Sequence, residues 1–475
     1  MLNLLSASEL AAKLHSREVS AREVLDAHLV QIERINSRVN AIVTLDAEGA
    51  YRQANAIDAR RMKGDTLGPL AGLPIACKDM ERVQGMRTTF GSPIYRDYVP
   101  DADTLMVERF RRHGMVIIGK TNAPEFALGS QTFNNVFGKT LNPWDVSKTC
   151  GGSSGGAAVA VATRMLPFAD GSDIGASLRN PANFCNVVGI RPTPGRVPVW
   201  PIADLWGHLS VNGAIGRNAH DTALLLHAQA GGDRRVPNAI WEDPAQFLRP
   251  LHRSFKGVRV AYSPTLGGLP VEHAVRTTID AGLRHFEALG CIIDEAEPDL
   301  READGCFDVM RAFLLAQLYG PLLAQHRHQM KDTAAWNIER GMSLTGIQIV
   351  EAVRQHSRIF ESMRKFMERY EFLLAPVNQV LPFPVDQPYV TEINGEKLDN
   401  YLDWMKSCYR ITMTAHPALS VPLGFSVSGL PVGVQIIGRY RDDFGILQLA
   451  HALEQQLPLW KEMPPVCEPA QKLRR

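Results

Sequence analysis

An α/β layer structure is what this sequence predicts, and three observations predict it. Leu73 to Ala76 reads as a short buried strand, about Thr104 to Arg112 as a helix and Met115 to Ile118 as a second strand, which together make a β-α-β unit. The pattern then returns. Gly257-Val258-Arg259-Val260-Ala261-Tyr262 is a strand, Val275, Ile279, Leu283 and Phe286 mark one helical face, Gly290 stops it, and Cys291-Ile292-Ile293 starts the next strand. Finally, 45% of the 475 residues are hydrophobic, enough for a large core, and no internal repeat is evident. Alternating strands and helices of this kind build a sheet layered with helices.

Taken in order, the chain begins helical. Ser6-Ala7-Ser8-Glu9 and Ser20-Ala21-Arg22-Glu23 both match the capping box, in which the serine oxygen and the glutamate carboxylate each accept a free N–H at a helix start. The second box leads into Val24, Leu25, Leu29, Ile32 and Ile35, a single apolar stripe. Gly114-Met115-Val116-Ile117-Ile118-Gly119-Lys120-Thr121 matches a phosphate-loop pattern, but its four inner residues are apolar and read as a buried strand. Asn122-Ala123-Pro124 opens no helix after it, so no nucleotide site is assigned. From Ser154 onward, Ala157-Ala158-Val159-Ala160-Val161-Ala162 reads as a closely packed helix with its N-terminus toward the turn before it. Residues 230–237 are a loop by composition, about 305–370 are helical in pattern, and Pro376 to Asn400 is irregular and carries four prolines. Pro417 to Gln435 reads as strands and turns, and Lys472-Leu473-Arg474-Arg475 as a solvated tail.

Lys and Arg total 51 against 50 Asp and Glu, a net charge of +1, which makes no electrostatic case for nucleic acid or an anionic membrane. The start Met1-Leu2-Asn3-Leu4-Leu5-Ser6 lacks the form of a signal peptide, and no unbroken apolar run approaches the roughly 18 residues of a membrane span. A soluble, cytoplasmic protein with a small-molecule partner is expected, with a homodimer admitted. Seven scattered cysteines have no framework spacing and read as reduced thiols; Cys77 and Cys150 are packing residues first. His326-Arg327-His328 puts two imidazoles on different sides of a helix, so no metal or other cofactor is assigned.

The chemistry lies between Thr149 and Arg179. Cys150-Gly151-Gly152-Ser153-Ser154-Gly155-Gly156 and Gly171-Ser172-Asp173-Ile174-Gly175-Ala176-Ser177-Leu178-Arg179 set two serines in glycine-bound turns, where several N–H groups can face one spot. Acyl chemistry needs such an exposed hydroxyl and oxyanion site, together with a base. Lys78, at the end of Gly72-Leu73-Pro74-Ile75-Ala76-Cys77-Lys78-Asp79, is the best base upstream. Gly151-Gly152-Ser153-Ser154-Gly155 also matches Gly-x-Ser-x-Gly, which would make Ser153 the nucleophile and recruit His416. No acid accompanies His416, and that reading leaves Lys78 and Ser177 idle.

The lysine after an apolar strand, the Gly-Gly-Ser-Ser-Gly-Gly turn and the Gly-x-Asp-x-Gly-x-Ser-x-Arg turn, in that order, resemble the amidase signature family. The likeness is densest from about Leu73 to Arg196, within a signature core of about 73–217, and runs more loosely to both ends. It implies one domain over 1–475, built on a single large, mixed, twisted sheet covered by helices on both faces, with substrate selection in about 300–400. It also implies Ser177 as nucleophile, Ser153 after a cis peptide as the bridging serine, and Lys78 as base. The N–H groups of Ile174, Gly175, Ala176 and Ser177 would receive the oxyanion, with Ser154, Asp173 and Arg179 in support.

The implied activity is hydrolysis of a small, uncharged, partly apolar or aromatic amide, with ester, anilide or carbamate open. A glutaminase subunit of a tRNA-dependent amidotransferase and a non-catalytic binding protein are the alternatives; the Gly195 to Arg217 stretch resembles the free-standing branch. Such a mechanism needs a neutral lysine, so burial must bring Lys78 well below its ordinary value near 10.4. Asp79 should face away, since neighbours on a strand point to opposite sides. Three places depart from the family: Ala176 for its usual glycine, Ser172 for threonine, and Ala415-His416 where a glycine is common. Trp200, Trp206 and His208 are candidate pocket aromatics.

Overall fold

Both serine boxes open helices. Ser6 and Ser20 accept the N–H of Glu9 and Glu23, and each glutamate accepts the serine N–H in return, starting α1 (Ala7–His15) and α2 (Ala21–Val39). The structure, a computed structural model, describes residues 1–468; the basic tail lies outside them. After α2 come β1 (Ile42–Leu45), α3 (Ala47–Met62), β2 (Pro74–Lys78), α4 (Leu105–Arg112) and β3 (Val116–Thr121). β2 and β3 are parallel, with α4 as the crossover, as the spacing predicts. The phosphate-loop match is strand β3 itself, and its Lys120 is buried, bonded to the Glu81 carbonyl and the Thr88 hydroxyl.

The serine turns bracket α5 (Gly155–Ala162) and β4 (Phe168–Asp173), followed by α6 (Arg179–Cys185), β5 (Val188–Arg191), β6 (Val211–Gly216) and α7 (Ala219–Gln229). The second β-α-β unit is β7 (Arg259–Tyr262), α8 (His273–Ala288) and β8 (Ile292–Glu295), with β7 and β8 parallel. The middle region is helical: α9 (Ala303–His326), α10 (Asp332–Met342) and α11 (Gly346–Arg369). β9 (Phe372–Pro376), α12 (Lys406–Thr412), β10 (Ala418–Phe425), β11 (Pro431–Gly438) and α13 (Asp443–Gln456) complete the main elements.

An eight-stranded mixed sheet has the order β8-β7-β9-β11-β10-β5-β6-β4. The first β-α-β unit is hydrogen-bonded separately, as a three-stranded sheet β1-β3-β2 whose β2 lies beside β4. Helices cover both faces of the large sheet, and β9 shows how. Its Phe372 and Leu374 enter one core with Val275 and Ile279 of α8 and Leu449 of α13, while Leu373 and Ala375 enter another with Phe307 of α9 and Ile359 and Met363 of α11. A strand buried on both faces reads as an unbroken apolar run, which is what Phe372 to Pro376 is.

One helix meets a test that no unbroken apolar run in the sequence meets: α9 is long and apolar enough to cross a membrane by length and composition, and 33% of its most apolar stretch is buried. Phe307 and Leu314 pack in the second core, and Leu315 packs against Ala334 and Ile338 of α10. All seven cysteines are free and buried. Burial pushes the Cys150 thiol up to about 12 and Cys77 well above its ordinary value, so both are packing residues.

Candidate active site

Lys78 is the last residue of a strand buried along its whole length, so its amine emerges inside the protein at the strand's carboxyl end. The first serine turn closes through glycine. Gly151 has φ +77°, and a Cβ there would stand 2.2 Å from Asn180 Oδ1. The Gly152–Ser153 peptide is cis. At Gly156 a Cβ would stand 2.4 Å from the Asn122 nitrogen, so only glycine lets α5 lie this close to the chain leaving β3.

Lys78 Nζ donates to Ser153 Oγ at 2.7 Å, to Ser154 Oγ at 3.0 Å and to Ser172 Oγ at 3.0 Å. Three hydroxyls, each able to give or accept, satisfy an ammonium with three N–H groups and equally a neutral amine with two and a lone pair. Burial lowers Lys78 to about 7, against the charges of Asp170, Asp173 and Glu81. An amine in this state can take a proton from a hydroxyl it touches. Asp79 faces away, as strand alternation requires: its carboxylate accepts from Thr89 and lies 4.0 Å from Lys120 Nζ.

Ser177 joins this group through its main chain, its carbonyl accepting the Ser154 N–H at 3.1 Å. Its Oγ makes no hydrogen bond among the described residues, and the N–H groups of Ile174, Gly175, Ala176 and Ser177 donate to no protein acceptor there. The turn is held from below. Asp173 accepts the Leu178 N–H at 3.0 Å and two bonds from Arg179, at 3.1 and 2.9 Å, and Arg191 approaches to 3.5 Å. Burial alone would raise the Asp173 carboxyl, but Arg179 and Arg191 outweigh it and hold it below its ordinary value. Arg179 also donates to the Gly175 carbonyl at 3.1 Å, which fixes the turn's curvature. Ala176 does not have positive φ, so its methyl brings no backbone strain; Ala415, at the other departure, does, at +57°.

A cavity of about 510 Å³ opens beside Ser172 and Ile174. Phe90, Tyr95, Tyr98, Phe126 and Tyr319 line it, with Leu315, Leu318 and Leu322 of α9 and Val199, Pro201 and Ile202 of the loop before β6. None of the three aromatics singled out in the sequence is in this wall. Trp200 lies under the Arg235 guanidinium at 4.4 Å, Trp206 is 77% exposed, and His208 stacks on His356 at 4.7 Å. Three of the cavity's five rings come from the Phe90 to Tyr98 stretch, whose aromatic density just after the Lys78 strand was the available signal, while Phe126 and Tyr319 come from elsewhere in the chain. His416 accompanies no acid: its Nδ1 pairs with the Thr414 carbonyl, burial lowers it to about 4, and among the described residues no hydrogen bond joins it to either serine.

The chain and its fold are similar to known proteins. The Amidase family matches residues 23–447. An acylamidase of Rhodococcus erythropolis is 34% identical over 467 residues, covering 98% of each chain. A glutamyl-tRNA(Gln) amidotransferase subunit of Ralstonia nicotianae is 36% identical over 489 residues, covering 94% of this chain and 96% of that one. The crystal structure of a bacterial aryl acylamidase of the amidase signature family superposes with a TM-score of 0.91 at 27% identity, covering 98% of this chain and 99% of the other. The chain belongs to the amidase signature family, and it is an amidase.

Proposed function

We propose that this protein hydrolyses the C–N bond of a small, uncharged amide with an aromatic or apolar group, through a Ser177 acyl-enzyme. Neutral Lys78 draws a proton through Ser153 from Ser177, whose oxygen attacks the carbonyl. The N–H groups of Ile174 to Ser177 receive the oxyanion, Ser153 returns the proton to the leaving amine, and water repeats the cycle on the ester. Free enzymes commonly hold such relays long and tighten them on substrate, which accommodates the unbonded Ser177 hydroxyl. The buried Lys78–Ser153 contact at 2.7 Å is the observation that carries this reading. The aromatic cavity beside Ile174 supports an aryl substrate, and the acylamidase and aryl acylamidase relatives point the same way. The α9 side of that cavity, within about 300–400, is the wall that selects substrate.

The test is hydrolysis of an aliphatic amide, an anilide, an aryl ester and an aryl carbamate by the wild type and by Ser177→Ala. Loss of all activity in the variant with the anilide preferred by the wild type is expected; full retention would remove Ser177 from the role. The amidotransferase relatives support a second reading, a glutaminase. Glutamine turnover that appears only with candidate partner subunits would favour it.

A further inference from the structure

β2 and β4 lie side by side at the facing edges of the two sheets, with no main-chain ladder between them. A strand edge leaves N–H groups in need of acceptors. At Lys78 the acceptor is a side chain: Asp170, in the middle of β4, takes the Lys78 N–H on both oxygens, at 3.1 and 3.2 Å. Asp170 is 0% exposed and forms no ion pair among the described residues. β4 is buried almost throughout, where an apolar residue would be the ordinary occupant. A buried carboxyl without a cation is unfavourable, so one retained beside an active lysine calls for a role.

We propose that Asp170 is a positioning residue for Lys78: its carboxyl fixes the lysine main chain at the joint between the sheets and places an ionisable acid beside the base. This rests on Lys78 being the base. A carboxylate at Asp170 favours the ammonium form of the neighbouring lysine, and that influence is lost where the carboxyl is neutral. Burial, then Glu81, raises Asp170 to about 7, where burial has brought Lys78 as well, so the two titrate as a pair. The groups facing this pair are Cys77 of β2, Asp79 and Glu81 after it, Lys120 of β3, and Asp173 with Arg179 and Arg191. α5 and β6 present no titratable side chain.

Asp170→Asn keeps an oxygen for the Lys78 N–H and removes the titration. With no carboxylate to favour the ammonium, the neutral amine appears at lower pH, so the acid limb of kcat/KM for an anilide is expected to move down by about one unit and fit a single ionisation. Glu81→Gln, removing a weaker negative neighbour, should move it less, in the same direction. An unmoved limb in folded Asp170→Asn overturns the inference. Should that variant not fold, a wild-type limb steeper or flatter than one ionisation together with a moved Glu81→Gln limb upholds it, and a single-ionisation limb unmoved in Glu81→Gln overturns it. Lys78→Met run in parallel separates the two proposals: if it stays active the base assignment fails and this inference with it, whereas an inactive Lys78→Met beside an unmoved Asp170→Asn limb sinks only the latter.

Discussion

Lys78 Nζ and Ser153 Oγ are 2.7 Å apart, and neither residue is more than 1% exposed. Water therefore competes with neither partner, and burial sets the charge of the amine, bringing it to about 7. Only the neutral amine accepts a proton. In wild type, kcat/KM for an anilide is expected to fall about tenfold per pH unit well below 7 and to level off above it. A flat profile from pH 5 to 9 would exclude Lys78 as the base.

The same burial shows in stability. Between the folded value of about 7 and an ordinary value near 10.5, the unfolded chain binds the proton that the folded chain releases, so this group opposes folding fully below 7 and ceases to above 10.5. Lys78→Met should be inactive, and its unfolding free energy relative to wild type should decline by about 1.4 kcal/mol per pH unit from 7 toward 10. Urea melts of both proteins across that range read it; a difference constant with pH would mean that the buried amine stays charged.

Tyr319 packs on Phe126 with ring centroids 4.5 Å apart in the wall of the cavity. Tyr319→Ala is expected to lower kcat/KM for an anilide about tenfold or more while changing acetamide turnover little, because only the larger substrate reaches that wall. Equal losses on both would put the aryl group elsewhere.

Ala176 and the Ala415-His416 pair are the places where the family resemblance implies a glycine, and the backbone separates the two alanines. Ala415 has φ +57°, where a Cβ is unfavourable by about 1 kcal/mol, so Ala415→Gly should raise the unfolding midpoint. Ala176 has no positive φ, so Ala176→Gly should lower the midpoint slightly by loosening the unfolded chain's constraint, with activity within a few-fold of wild type. Calorimetry on the pair decides, and the same sign for both would refute the backbone explanation.

Asp173 is flanked by Arg179 and Arg191, all three fully buried or nearly so. Asp173→Asn leaves two guanidinium groups without their anion and is expected to lose about 3–5 kcal/mol of stability. Since the folded carboxyl lies below its ordinary value of 3.8, the wild type holds this contribution above that pH and loses it as pH falls further. A variant as stable as wild type at pH 7 would show that the guanidinium groups find other partners.

Much of this protein was legible in its residues because the signals are local. Capping boxes at Ser6 and Ser20, the apolar run before Lys78 and the glycines around Ser153 act through contacts a few residues long, and each element formed where its pattern lies. The two β-α-β units follow from the same periodicities. What periodicity could not reveal is which distant surfaces meet. Lys78 and Asp170 are separated by 92 positions and met only when two sheet edges came together, and the aromatic cavity needed Tyr95, Phe126 and Tyr319 from three separate segments. Trp200 and Trp206 looked equally suited as rings near the nucleophile turn, but which ring faces the cavity is settled by packing. Spacing along the chain determined the strands, helices and turns that carry the serines and the lysine. Tertiary burial alone decided the lysine's charge, because the desolvation that lowers it comes from elements far away in sequence.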